Sequence, residues 1–372
     1  MRVLIVCDFL FKYGSQQARS LARDGHDVAM LFRSHALEFG GSTVERERLL
    51  ATLRHENIKL FVLPGRVRSV SAVPRMFELR RELDGWRPQI VHVHENLDPR
   101  LLALTRGYRT VFTVHDPVEH LGARSFTRSE RWIVKRWLGR SERLVVHGQA
   151  LADELAPSVG RARIVVIPHG TWPRSEPLPP PPSPSVLLFG RLELYKGVEV
   201  LVEAMRFVWE RRPDVKLVVA GHGPAARLVP ADPRISLRPT YISEDEIEPL
   251  LAGASLVVLP YTQASQSGVG LLAVGAGVPV VVSDLGALPD LAYDPSFVCE
   301  HGDPRALAQT IIRHLDDGPD VRTAVLMHAR SHFSWEHAAA LTTRLYEELV
   351  GDSRPGRSPA ASSREADTPD TP

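Results

Sequence analysis

The chain is poor in cysteine, balanced in charge and short of long apolar runs, and each shortage removes a class of protein. Cys7 and Cys299 are the only two cysteines in 372 residues, which excludes a disulfide-stapled scaffold and leads us to expect a reduced, cytoplasmic protein. A net charge of +1 provides no global attraction to nucleic acid. The apolar run at residues 3–7 ends at Asp8 and is too short for a signal-peptide core. Residues 252–283 carry no charge, but Pro260, Thr262, Gln263, Gln266 and Pro279 interrupt them, and a spanning helix needs roughly 20 mostly apolar residues. No Gly-x-Gly-x-x-Gly follows the first apolar run, where Gly14 stands alone, so a nicotinamide dehydrogenase is disfavoured.

What is present is enough chain for two domains, each with its own core. Residues 1–170 hold 27 Lys and Arg against 18 Asp and Glu, and the rest of the chain holds 18 against 26. The basic first half leaves room for peripheral membrane contact at an inner face or for an anionic ligand; the plain alternative is a set of solvated arginine-rich helices.

Short β-branched runs alternate with amphipathic stretches, the pattern of parallel βαβ units. Strands are predicted at 3–7, 27–32, 59–63, 89–93, 110–114, 143–147 and 163–167, then at 185–189, 215–220, 255–259 and 279–283. Residues 196–211 place Val198, Leu201, Val202, Met205, Val208 and Trp209 on one helical face. Ser243 followed by Glu246 predicts a capped helix start. Residues 172–185 contain seven prolines and read as an extended, semi-rigid linker. The expected division is therefore 1–170, a linker at 171–184, a second domain from 185 to 330 and a disordered tail at 351–372.

Two segments carry the candidate chemistry. In Phe189-Gly-Arg-Leu-Glu-Leu-Tyr-Lys-Gly197, a buried strand ends and a helix begins, and ligands of open α/β sheets bind at the carboxyl ends of strands. Arg191 and Lys196 would there meet an anion such as a diphosphate; two solvated loop cations are an equal reading on spacing alone. In Tyr261-Thr-Gln-Ala-Ser-Gln-Ser-Gly-Val269, the amides and side chains of Gln266, Ser267, Gly268 and Val269 lie where a helix start would cradle phosphate oxygens. Serine and glycine are also common turn punctuation.

With these residues in place, the second half resembles the donor-binding domain of the family 4 retaining glycosyltransferases. The likeness rests on Phe189-Gly-Arg191 with Lys196-Gly197, Val219-Ala-Gly-His-Gly-Pro224, residues 255–260, Gly277-Val-Pro-Val-Val281 and Ser283-Asp-Leu-Gly286. The first half resembles the family more loosely, through a loop bearing Gly14, through His92 and His94, Thr113-Val-His-Asp116 and Ile167-Pro-His-Gly170. Phe333-Ser-Trp335 and Leu345-Tyr-Glu-Glu-Leu349 look like the family's closing helix, expected at 331–350, that crosses back to the first domain.

The resemblance implies an α/β fold of the GT-B type, with two Rossmann-like domains whose parallel sheets face each other across a cleft. It implies a hexosyl transfer that needs no metal and no cofactor beyond the nucleotide-diphosphate sugar, in the making of a polysaccharide, a glycolipid or a glycosylated metabolite. It assigns Arg191 and Lys196 to the diphosphate, His115 to the vicinity of the transferred sugar, and Gly14, Gly221, Gln266, Ser267, Gly268 and Val269 to the donor. The acceptor, whether glycan, lipid-linked or small molecule, is expected against Asn96, Asp116 and His120, on walls formed by residues 12–17, 96–100 and 117–124. His92 and His94 share one strand face and read as packing residues near the cleft.

One departure stands out. Most family members carry two glutamates around the second segment, and the positions here hold Ala264 and Leu272. The chain is similar to a branch with an Ala-Ser-Gln-Ser-Gly-Val segment, matched at residues 264–269, in which amide and hydroxyl contacts would replace charge. A non-catalytic nucleotide-sugar-binding module and a nucleotide-sugar epimerase of the same fold are the competing readings.

Overall fold

The computed structural model describes residues 1–7, 10–33, 42–63, 72–94, 97–115, 127–264 and 266–351. Asn96, Asp116 and His120, the expected wall at 117–124, and all of the expected tail at 351–372 except Gly351 lie outside the described residues.

The first lobe alternates β1 (Arg2–Cys7), α1 (Phe11–Arg23), β2 (Asp27–Arg33), α2 (Thr43–His55), β3 (Lys59–Leu63), α3 (Ala72–Trp86), β4 (Ile90–His94), α4 (Pro99–Leu104), β5 (Thr110–Thr113), α5 (Arg128–Arg140), β6 (Arg143–Val146), α6 (Gln149–Val159) and β7 (Ile164–Val166). The second continues with β8 (Ser185–Phe189), α7 (Val198–Arg211), β9 (Lys216–Ala220), β10 (Ile235–Arg238), α8 (Glu244–Ala252), β11 (Leu256–Leu259), α9 (Gly268–Gly275), β12 (Val280–Ser283), β13 (Val298–Cys299), α10 (Pro304–His314), α11 (Pro319–His332) and α12 (Trp335–Gly351).

The strands form two sheets, ordered β3-β2-β1-β4-β5-β6-β7 and β10-β9-β8-β11-β12-β13, and every strand pairing is parallel. Central strands such as β1 and β8 are buried on both faces, which is why they read as unbroken apolar runs rather than alternating ones. In each sheet the strand order reverses beside the first strand, at β1/β4 and at β8/β11, opening a crevice at the carboxyl ends.

Helices cover both faces of each sheet. Leu79 and Leu83 of α3, Leu101 of α4 and Trp137 of α5 share one core, while α1 packs with Ala338 and Tyr346 of α12 on the opposite face. In the second lobe, α7 buries Val198, Leu201, Ala204, Met205, Val208 and Trp209, nearly the stripe expected. Glu246 accepts hydrogen bonds from the Ser243 backbone N–H at 3.0 Å and hydroxyl at 2.8 Å, fixing the start of α8. Two strands, β10 and β13, were not expected from the sequence.

The chain passes between the lobes twice. The proline-rich stretch lies against the second lobe, where the N–H groups of Arg174 and Leu178 donate to Gly275 O and Ala276 O, each at 2.9 Å. At the second passage, Thr171 N donates to Phe333 O at 2.6 Å and Trp335 N donates to Thr171 O at 2.9 Å, so the two crossings are stitched together. α12 then lies on the first lobe, where Ser20 Oγ donates to Trp335 O at 2.7 Å. Cys7 and Cys299 are both buried and are not joined in a disulfide. No described helix is long and apolar enough to cross a membrane.

Candidate functional site

Three loops at the carboxyl ends of β8, β9 and β11 interlock through glycine. Gly197 has φ 70°, and a Cβ there would stand 1.7 Å from Pro260 O. Gly221 has φ 139°, and a Cβ there would stand 1.7 Å from Gly190 O. No other residue supplies both the backbone angle and the clearance. The Gly221 N–H donates to Arg238 O at 2.8 Å, so this residue supports the site by close approach and its amide is already committed. A Cβ at Gly190 would meet Val269 Cγ2 at 2.9 Å, which brings the β8 loop against the start of α9.

On this frame the Lys196 ammonium donates to the Tyr261 hydroxyl at 2.7 Å and lies 3.9 Å from the centre of its ring. Tyr261 OH and Ser267 Oγ are 2.9 Å apart, and Ser267 Oγ accepts from Gly270 N at 3.2 Å as the N-cap of α9. Lysine can only donate, so the tyrosine oxygen accepts from it. Whichever hydroxyl donates between Tyr261 and Ser267, one hydroxyl hydrogen remains for a ligand. Burial raises the Tyr261 pKa well above the ordinary phenol value, against the opposing effects of the Ser267 hydrogen bond and the Arg191 charge. Tyr261 therefore stays a neutral relay. Arg191 is exposed, and its charge is near enough to act on the Tyr261 phenol. Nothing would crowd a Cβ at Gly268, the first residue of α9. Cations, hydroxyl and helix amino end are groups whose chemistry suits an anion.

Across the gap, the histidines are more numerous and more connected than the sequence implied. His94 Nε2 lies 2.7 Å from Gln17 Oε1, His94 Nδ1 lies 3.3 Å from His115 Nε2, and His115 Nδ1 lies 3.3 Å from Gln266 Nε2. The protons can be placed in order. Gln17 Oε1 only accepts, so His94 carries its proton on Nε2; His94 Nδ1 then accepts from His115 Nε2–H, and His115 Nδ1 accepts from the Gln266 amide. His115 is 4% exposed and both its nitrogens are occupied, so it reaches the gap through Gln266. The Gln266 Oε1 is buried and has no hydrogen-bond partner among the described residues.

Burial holds His92 and His169 down to about 3 and holds His94 and His115 well below the ordinary imidazole value, with the neighbouring imidazoles adding to the effect. These four histidines are neutral near pH 7. Tyr13 stands among these rings, 4.9 Å from His115 and 4.5 Å from His169 between centroids. His92 is more than packing, because its ring nitrogens meet Tyr346 OH at 2.5 Å and Thr113 Oγ1 at 2.6 Å.

Gly14 lies in the first turn of α1 rather than in a loop. A Cβ there would come 3.2 Å from Cys7 Sγ and 3.6 Å from the His94 ring, so its smallness lets the helix sit down on β1 and on the histidines. Beside α9 a chamber of about 630 Å³ opens between the lobes, walled by Lys12, Tyr13 and His169 on one side and by Tyr241, Gly268 and Leu272 on the other. Leu272, 41% exposed, offers an apolar surface where the family places a glutamate. Lys12 and Glu244 pair at 2.9 Å, and Arg174 and Glu248 at 2.7 Å, along the same chamber. Tyr241 and Glu244 were missed from the sequence, which holds no local signal for them, whereas Gln17, expected on the wall at residues 12–17, stands against His94.

Two family models match the chain: "Glycosyltransferase Family 4" over residues 13–173 and "Glycosyl transferases group 1" over residues 183–317. Among curated relatives, a glycogen synthase of Mycobacterium tuberculosis is 29% identical over 285 residues, 70% of this chain and 69% of the relative. A phosphatidyl-myo-inositol mannosyltransferase of Propionibacterium freudenreichii is 26% identical over 379 residues, 93% of this chain and 94% of that protein. Among solved structures, a sucrose-phosphate synthase of Thermosynechococcus elongatus superposes with a TM-score of 0.69 at 18% identity, covering 95% of this chain and 100% of its own. The Anabaena protein HepE, solved with UDP and glucose, gives 0.66 at 16% identity, covering 94% and 100%. With the two parallel sheets, these likenesses show a GT-B fold.

Proposed function

We propose, from the premise that this chain belongs to the family 4 glycosyltransferases, that it moves a hexose from a nucleotide-diphosphate sugar to an acceptor hydroxyl with retention at the anomeric carbon. The observation that carries the reading is the line from Lys196 through Tyr261 to Ser267 at the amino end of α9, with Arg191 beside it. Such a cluster is matched to the negative charge that grows on a departing diphosphate, and preorganised donors of this kind act on the transition state. The bond from the anomeric carbon to the diphosphate breaks, the bond to the acceptor oxygen forms on the same face, and the acceptor proton passes to a diphosphate oxygen. The charge is carried by the protein's own cations, so neither metal nor cofactor is invoked.

The unpaired Gln266 Oε1 suits a sugar hydroxyl, which would restore its missing donor. The chamber beside Leu272 suits the nucleoside, held by amide, hydroxyl and apolar contacts instead of a carboxylate. Gly14, Gly221 and Val269 shape the donor site through backbone and packing. The acceptor, a glycan, a lipid-linked sugar or a small molecule, approaches from the first lobe. The protein acts in the cytoplasm or at the inner face of a membrane, which its basic half would contact, and has no nucleic-acid partner.

Replacing either Arg191 or Lys196 with alanine is expected to lower kcat by about 10²–10³, the usual effect of removing one transition-state donor, with melting temperature little changed. Near-normal rates in both variants refute the assignment. Released nucleotide with a glycosylated product distinguishes transfer from mere binding, and conversion of the donor without acceptor would mark an epimerase. Thermal shift against UDP, GDP, ADP and dTDP identifies the base, because a ligand that binds only the folded state raises its melting temperature.

A further inference from the structure

The outer flank of the first lobe carries a concentration of charge that the cleft does not use. α5 reads Arg-Ser-Glu-Arg-Trp-Ile-Val-Lys-Arg-Trp-Leu-Gly-Arg, with five cations and one carboxylate. Ile133 and Trp137 point into the core, and Arg128, Arg131, Trp132, Lys135 and Arg136 are exposed. Spaced by three and four residues, they occupy one helical face. Between α4 and α5 runs a groove of about 930 Å³ whose walls include Arg106, Tyr108, Trp132, Lys135, Arg136 and Arg140, and among the described residues no Asp or Glu lines it.

Nearby carboxylates are already engaged. Glu130 accepts from Thr127, Asp84 from Arg80 and Tyr108, Glu78 and Glu82 from Arg75, and Glu142 pairs with Arg109. Among the described residues, no carboxylate in the groove offsets its positive potential. A solvated face would explain the cations but not Trp132, which is 49% exposed in their midst with the Arg136 guanidinium 5.0 Å from the centre of its ring. Tryptophan flanked by basic residues is the composition of a helix lying in a membrane interface, where the indole sits at headgroup depth and the cations meet lipid phosphates.

We propose that α5 and the adjoining groove dock the enzyme on an anionic phospholipid bilayer, with Trp132 entering the interface and Arg106, Lys135 and Arg136 meeting the phosphates. This deepens the functional reading and rests on it for its purpose, because an enzyme held on a bilayer meets a lipid-linked acceptor there; the groove itself flanks the amino end of β5, beside Arg106 and Tyr108. The docking itself is measured without turnover.

The full chain is sedimented with vesicles of phosphatidylcholine alone and of phosphatidylcholine mixed with phosphatidylglycerol. Binding is expected only to the anionic vesicles, and is expected to be released by high salt. Each basic residue near an anionic surface contributes about fivefold in partitioning, so Lys135→Glu with Arg136→Glu should weaken binding by at least ~10-fold, whereas Arg227→Glu on the other lobe should not. Quenching of tryptophan fluorescence by brominated lipid should fall in Trp132→Phe. Equal binding to neutral and anionic vesicles overturns the proposal, as does wild-type binding by the double variant. Retention of the protein on a polyanionic glycan through the same residues, with no vesicle binding, also overturns it. Nucleotide-sugar turnover without vesicles is expected to be unchanged in the α5 variants. Loss of turnover in the wild type would count against the functional reading alone.

Discussion

Replacing Gln266 with glutamate tests the proton order of the histidine chain. In the native protein His115 Nδ1 accepts from the Gln266 amide, and a carboxylate has no hydrogen to give. Two responses are available. His115 takes up a proton, or it moves its hydrogen to Nδ1, which forces His94 to switch tautomer and the Gln17 amide to turn over. In the first, a hydrogen bond to a charged group is worth about 1.5–3 kcal/mol. At ~1.4 kcal/mol per pKa unit, that lifts His115 by roughly one to two units from its depressed position. In the second, the nitrogen-15 shifts of His115 and His94 exchange between their two ring positions. Gln266→Leu instead leaves Nδ1 bare and costs ~1–3 kcal/mol. If the Gln266 Oε1 also receives a sugar hydroxyl, this variant should raise KM. Side-chain histidine NMR reads all three cases. Native His115 protonated on Nδ1, or a spectrum unmoved by Gln266→Glu, would refute the proton order.

Further outcomes follow from the same geometry. His92, His94, His115 and His169 are depressed by burial, so in acid the unfolded chain takes up protons that the folded chain refuses. Stability should be full above about pH 6.5 and fall below it by up to ~1.4 kcal/mol per pH unit for each histidine, and a urea midpoint that stays flat from about pH 7 to about pH 5 contradicts this. Gly197→Ala should lower melting temperature and kcat together, because the new Cβ meets Pro260 O. At Gly107, where φ is 90° and space is open, alanine should cost only the backbone strain of ~1–3 kcal/mol. Tyr346→Phe should cost ~1–3 kcal/mol by calorimetry, because it strands a buried His92 nitrogen; an unchanged protein would mean that the 2.5 Å contact is not a structural bond.

The sheets were legible because strands buried on both faces must be continuously apolar, as in β1, β8 and β12. β10 escaped notice because it lies at a sheet edge with three of its four residues exposed, and β13 because it has only two residues. Lys196, Ser267 and Gly268 could be found because strand, loop and helix start follow one another locally. Gln17, His94, His115 and Gln266 could not be assembled, since they meet from four separate segments and no periodicity relates them. The meaning of Gly14 was obscured for a similar reason: a glycine after a first strand looks like a loop, and only the approach of α1 to Cys7 and His94 reveals that the helix needs it.

The stitched double crossing at Thr171 and Trp335 decides what kind of motion the enzyme can make. Two strands tied side by side resist sliding, because translation of one lobe past the other would shear both hydrogen bonds, but they twist together with little resistance. A swing of the lobes about that seam would leave both hydrogen bonds in place. Such a swing would move groups at the far rim further than His169 and Trp172, which lie beside the crossing.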